Sequence, residues 1–124
     1  MRGTPLSSGA KALVCKADER FVLFVMPADR RLDSAAVRRT LGIRSLHFAS
    51  PEEVAQLTGL PPGAIPPFGQ LFGLPTYCDD ALAEQPRINF NAGDHAISVS
   101  LTYEDYLLVE SPTLGRFGDL MTTP

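Results

Sequence analysis

Residues 21–26, FVLFVM, contain no polar side chain. Successive side chains of a strand point to opposite faces, so a strand with one wet side alternates apolar and polar residues. Six apolar residues in a row leave no wet side, and the pattern predicts a central strand covered on both faces. Pro27 ends it, because proline has no N–H to give a ladder. The preceding run KALVCK, residues 11–16, is also rich in strand-forming side chains, and ADER between the two reads as the turn of a hairpin.

The elements around this pair follow from local signals. Asp33 stands before SAAVRRTL as a helix N-cap, and Gly42 follows as its C-cap. SLHFA, residues 45–49, predicts another strand. SPEE, residues 50–53, supplies Ser50 as a cap, Pro51 in the first turn and Glu53 to complete a capping box, so a helix runs from here to Thr58 and stops at Gly59. TYC, residues 76–78, predicts a short strand, with a turn of helix over residues 80–84. RINFNA (87–92) and AISVSL (96–101) alternate, and Gly93, Asp94 and His95 between them form a hairpin turn. Thr102 is placed to cap a last helix, YEDYLLVE. Strands outnumber helices and neighbouring strands pair, which gives an α+β or mixed α/β class with helices packed on a sheet.

At 124 residues the chain is one domain, long enough to bury a core without disulfide or metal staples. Residues 1–9 read as a flexible N-terminus, 10–110 as the domain and 111–124 as a loosely held C-terminal tail without periodicity. The net charge of −3 argues against a surface that coats nucleic acid, though a local basic patch that grips one end of an RNA stays open. Two cysteines make no disulfide framework, and Cys15, in an apolar run, reads as a small buried hydrophobe. No apolar run nears the length of a membrane span, and the first ten residues lack the apolar middle of a signal peptide. The expectation is a soluble cytoplasmic protein with reduced thiols.

Residues 59–75, GLPPGAIPPFGQLFGLP, hold five of the eleven prolines and four of the ten glycines. Neither a helix nor a strand interior tolerates so many prolines, and a plain linker needs neither Ile65 nor Phe68. The stretch reads as a loop fixed in one shape. Its glycines, Gly63 and Gly69 above all, let backbone approach a ligand, and Pro66 and Pro67 pre-order the arch. Backbone amides so presented suit a carbonyl oxygen, a phosphate or a developing oxyanion. A rigid surface turn that only joins helix to strand fits the same composition.

Elsewhere the chemistry is sparse. There is no nucleophile elbow and no phosphate-binding P-loop. The two histidines and two cysteines lie at no metal-ligand spacing. Asp79 and Asp80, as neighbours on a strand, point apart, and read as a strand end and a helix cap. Taken alone, Lys11 is a solvated edge lysine that begins the first strand beside small residues, His95 is the polar tip of a turn, His47 faces away from the core, and Arg38 and Arg39 lie on a solvated helix face.

As an ordered set, these features resemble the YbaK and prolyl-tRNA-synthetase-associated editing domains. The likeness runs over residues 10–109. AKALVCK resembles the family's lysine-led first core strand, and DRRLDSAAVRRTLGIRSLHFASPEEVAQLTG its helix–strand–helix passage. GAIPPFG carries the family's G-x-x-x-P loop at residues 63–67, with the following glycine at Gly69. TYCDDAL resembles its short strand and aspartate, and NFNAGDHAISVSL its closing glycine hairpin.

The resemblance implies a curved, mixed and mostly antiparallel sheet with flanking helices. It implies an aminoacyl-tRNA deacylase, an ester hydrolase that removes a wrong amino acid from the 3′ end of a tRNA without metal or cofactor. Its partners would be mischarged tRNA and an aminoacyl-tRNA synthetase, with no membrane, and its state monomer or homodimer. Lys11 and Gly63 would be the catalytic residues. Gly63, Ala64, Ile65 and Pro67 would form the loop over the ester, with amides on the carbonyl, and Pro66, Phe68 and Gly69 would complete the substrate-binding segment. Gly93 would let the hairpin pass close to the aminoacyl end, beside His95. Lys11 would hold the terminal phosphate or sugar, or position the reacting groups. Family members usually carry a few dozen further residues before the lysine strand, where this chain has ten. A sheet surface left bare there favours dimerisation. The other readings are a binding module of the same fold without turnover, which recognises an aminoacyl-tRNA end or a synthetase partner, and a nucleic-acid-binding regulator, which the acidic balance disfavours.

Overall fold

The computed structural model describes residues 9–91 and 98–120. β1 (Ala10–Ala17) and β2 (Arg20–Pro27) form the expected hairpin, antiparallel from Ala10 opposite Pro27 to Ala17 opposite Arg20. The turn puts Asp18 in left-handed backbone, at φ 53°. Its Oδ1 accepts the N–H groups of Arg44 and Ser45 at 3.0 and 2.9 Å, which ties the turn to the chain entering the next strand. The Ser45 amide above all holds the Asp18 carboxyl below its usual range.

β3 (Arg30–Leu32), α1 (Ser34–Leu41), β4 (Leu46–Phe48) and α2 (Pro51–Thr58) follow. The caps fall where the side chains predict them. Asp33 accepts the Ala36 N–H, Ser50 and Glu53 make a reciprocal capping box, and Gly42 and Gly59 end the two helices in left-handed backbone. Beyond the proline-rich loop come β5 (Thr76–Asp79), a 3-10 turn (Asp80–Glu84), β6 (Arg87–Asn91), β7 (Ser98–Thr102) and α3 (Tyr103–Glu110), whose first turn Thr102 caps. The connection between β6 and β7, with Gly93, Asp94 and His95, lies outside the described residues.

The main sheet has the order β4-β1-β2-β5, with one further strand, β8 (Thr113–Gly115), beside β5. β1 runs antiparallel to β2 and to β4, whereas β5 is parallel to β2 and β8 to β5. β6 and β7 form a separate antiparallel ribbon. The fold is α+β with a mixed sheet, and among the described residues the antiparallel pairings outnumber the parallel ones.

β2 lies mid-sheet and is covered on both faces, as its composition demands. Leu23 and Val25 face a core with Val54 of α2, Ile65, Leu82, Ile88 and Tyr106 of α3. Val22, Phe24 and Met26 face a second core with Cys15, Val37 of α1 and Phe117. Burial of each such side chain contributes roughly 1.5–3 kcal/mol. Cys15 and Cys78 lie in opposite cores, free and fully buried.

The tail is the correction. Residues 111–120 are part of the domain and are not loosely held. β8 adds to the main sheet, and β9 (Gly118–Leu120) pairs with β3. Phe117 is fully buried between Phe24 and Tyr77, at ring-centroid separations of 5.6 and 5.7 Å. Asp79 accepts the N–H groups of Phe117 and Gly118, both at 2.7 Å. The same carboxylate caps the 3-10 turn through the Ala81 N–H. Asp79 therefore takes both roles expected of the Asp79–Asp80 pair, strand end and cap, and also anchors the tail. TLG and GDL hold one leucine each and show no alternation. Among the described residues no helix is long and apolar enough to cross a membrane.

Candidate functional site

Lys11 stands between Ala10 and Ala12 on the half of β1 that β4 does not reach, since β4 pairs only with residues 15–17. The ladder shows which groups the open edge presents. Asp18 donates to the Ser45 carbonyl and Ala49 donates to the Val14 carbonyl, so even-numbered residues of β1 turn their N–H and C=O away from β2. Ala12 shares that parity, and its peptide groups face the edge where β4 has ended.

The proline-rich loop closes over this edge. Lys11, Ala12, Gly63, Ile65, Asn89 and Phe90 line a cavity of about 430 Å³, within the range of small-ligand sites. A smaller apolar cleft of about 100 Å³ adjoins it, between Val14, Val54 and Pro62. Two alanines beside the lysine leave the volume open, where larger side chains would fill it. Gly63 has φ 87°, a conformation that favours glycine, and it is exposed at the mouth. Lys11 is half-buried, and its ammonium loses hydration there, which lowers its pKa from the ordinary 10.5, while the Asp29 carboxylate opposes the shift.

The structure thus brings together Lys11, Gly63 and Ile65 of the residues expected in the site. The other loop residues do not line this cavity. Ala64, Pro66, Pro67 and Gly69 are buried and form the base of the loop. Several backbone groups of the loop are engaged within the fold. Proline has no N–H. The Ala64 N–H donates to the Pro61 carbonyl, that of Phe68 to Pro66, and that of Gly69 to the Thr76 hydroxyl. The Ile65 amide is bonded to no group among the described residues. Gly69 is a glycine for packing, because a Cβ there would collide with Thr76 and the Leu74 carbonyl. Phe68 is a half-buried wedge whose ring meets Phe90 and Tyr106 edge-on, at 5.6 and 5.3 Å. Gly93 and His95 lie outside the described residues.

Four groups at or beside the site were not read from the sequence: the Ala12 edge, Asn89, Phe90 and Asp29. Phe90 had a signal, the alternation in RINFNA, which gave its strand but not its neighbour. Among the described residues no cluster of His, Cys, Asp and Glu is arranged to hold a metal. The two thiols are no nucleophiles, since burial above all pushes both up to about 12.

Comparison with known proteins adds to this geometry. The family model for the aminoacyl-tRNA editing domain matches residues 1–108. The multifunctional Ser/Thr-tRNA deacylase ProXp-y of Escherichia coli (strain K12) is 41% identical over 122 residues, covering 94% of this chain and 73% of that protein. A proline--tRNA ligase of Solidesulfovibrio magneticus is 36% identical over 101 residues, 78% of this chain but 17% of the ligase. Among solved structures, one described as a candidate trans-editing enzyme for prolyl tRNA synthetase superposes with a TM-score of 0.84 at 28% identity, covering 94% of this chain and 74% of its own. The matched span includes the lysine-led strand, the G-x-x-x-P loop and the β6–β7 ribbon, and the chain belongs to the aminoacyl-tRNA editing domain family.

Proposed function

We propose that this chain hydrolyses the ester that joins a wrong amino acid to the 3′ end of a tRNA. The observation that carries the reading is the meeting of Lys11, Gly63 and Ile65 around one cavity at the open edge of β1. Water adds to the ester carbonyl, whose oxygen becomes an oxyanion. The Ile65 amide is the donor that steadies it, in a site partly shielded from solvent where such a bond is stronger than in water. The intermediate then collapses, the bond from carbonyl carbon to ribose oxygen breaks, and that oxygen takes a proton. The Lys11 ammonium holds the terminal phosphate or sugar and fixes the reacting end in place, so that little acid–base machinery is needed. Glycine at 63 leaves the mouth clear for the aminoacyl group.

The economics of translation give such a pocket a purpose. One methylene changes binding by only about 1–3 kcal/mol, so a synthetase cannot by itself reject a slightly smaller or isosteric amino acid. A second pocket that hydrolyses what enters it supplies the missing discrimination. The 41% identity to a protein named as a Ser/Thr-tRNA deacylase makes seryl and threonyl esters the first substrates to try. The likeness to segments of proline--tRNA ligases points to prolyl-tRNA synthetase as the associated synthetase.

The test is deacylation of alanyl, cysteinyl, seryl and threonyl esters of tRNA by the wild type and by Lys11→Ala. At least one ester is cleared by the wild type, and Lys11→Ala lowers kcat/KM on the order of 100-fold without loss of fold by circular dichroism. A folded wild type that clears none of the four overturns the reading and leaves a binding module.

A further inference from the structure

The loop that roofs the cavity has few bonds of its own. Pro66 and Pro67 have no donors, residues 61–68 join no strand ladder, and the Ala64 and Phe68 N–H groups donate within the loop, to the Pro61 and Pro66 carbonyls. Helix α3, which contributes no residue to the cavity wall, supplies further bonds from outside. Tyr106 is fully buried, and its hydroxyl donates to the Pro67 carbonyl at 2.7 Å. Its ring meets Phe68 edge-on, and Phe68 meets Phe90 in the cavity wall. One turn later, Glu110 is 4% exposed. Its Oε2 accepts the Thr76 hydroxyl at 2.5 Å and the Gln70 N–H at 3.3 Å. Thr76 in turn accepts the Gly69 N–H at 3.0 Å, and the Gln70 side chain donates to the Glu110 carbonyl at 2.6 Å.

These groups are unnecessary for packing. Phenylalanine at 106 would fill the same space, and a buried hydroxyl or carboxylate is unfavourable unless it is bonded. Here all their bonds among the described residues go to one end of one loop and to the strand that follows it. Burial also pushes the Tyr106 phenol up, so it remains a donor.

We propose that Tyr106 and Glu110 are positioning residues that set the width of the cavity and thereby which aminoacyl side chain it admits. The inference rests on the deacylase reading for its substrate, but its mechanical part stands apart from turnover. Tyr106→Phe removes one oxygen atom and keeps the Phe68–Phe90 wedge. Leu108→Ala, on the same helix at a position 79% exposed, is the control.

Two readouts decide it. Seryl and threonyl esters differ by one methyl group, and Tyr106→Phe shifts the ratio of their kcat/KM values by about threefold or more, chiefly through kcat. In amide hydrogen exchange, Tyr106→Phe speeds Ala64 and Gly69 on the order of 10-fold and leaves Val25 unchanged, whereas Leu108→Ala changes neither. Glu110→Gln repeats the exchange result at Gly69, and if it fails to fold, Tyr106→Phe decides alone. An active wild type whose Tyr106→Phe variant keeps the same ester ratio overturns the inference. So does exchange that rises equally at Val25, which marks a merely structural role. If the wild type clears no ester, the deacylase reading falls by itself, and the exchange data still decide whether α3 positions the loop.

Discussion

Val25 in β2 and Pro67 in the pocket loop are both sealed from solvent, yet they are held in place by different means. β2 bonds along its length to β1 and, over residues 23–25, to β5, so each residue's position follows from its neighbours'. The loop belongs to no ladder. Its bonds include Ala64 to Pro61 and Phe68 to Pro66 within the loop, and Gly69 to Thr76 and Pro67 to Tyr106 outside it. Burial measures how much a segment adds to the core. Where its polar groups go shows whether its shape is specified from within or from outside. A change in the strand costs stability, and a change in the loop's supports costs geometry.

The largest test of that division is Phe117→Ala. It empties a fully buried site in the core across the sheet from the pocket and lowers stability by about 3–5 kcal/mol, read as a fall in Tm. At temperatures where it stays folded, it keeps the wild-type ester preference. A changed preference breaks the separation.

A smaller effect sharpens the pocket side. The ammonium of Lys11 is the form that binds an anion, and its lowered pKa means that it is lost before an ordinary lysine's would be. After spontaneous ester hydrolysis is subtracted, kcat/KM therefore falls as pH rises, on a limb below 10.5. Asp29→Asn removes the charge that favours the ammonium, and moves the limb lower still. Lys11→Arg moves it higher. A limb that answers to neither substitution belongs to another group. The smallest change is Ser50→Ala, which removes half of a capping box and costs about 1 kcal/mol with no effect on ester preference.

Local signals were legible. FVLFVM gave the central strand, and Asp33, Ser50 with Glu53, and Thr102 gave three helix starts, because a cap acts within three residues of itself. The strands β3, β8 and β9 escaped, since RRL, TLG and GDL hold one leucine each and show no alternation, whereas the equally short β4 alternates as Leu46, His47 and Phe48. The tail depends on Asp79, 38 residues before Phe117. The site divides in the same way. Lys11, Gly63 and Ile65 were named through resemblance to a family, whereas Phe90, Tyr106 and Glu110 join them only through the fold. Glu110 looks in sequence like the solvated last residue of a helix, and nothing within ten positions marks it as the acceptor for Thr76 and Gln70.

The two cysteines have a practical consequence. Both are fully buried, in opposite cores, and their thiols are pushed up to about 12, so in neutral buffer they carry almost no thiolate. Alkylating dyes will pass them by while the protein is folded. A cysteine introduced at an exposed position such as Leu71 will then be the one reactive thiol, and the unmodified core makes the chain ready for single-site labelling beside its pocket loop.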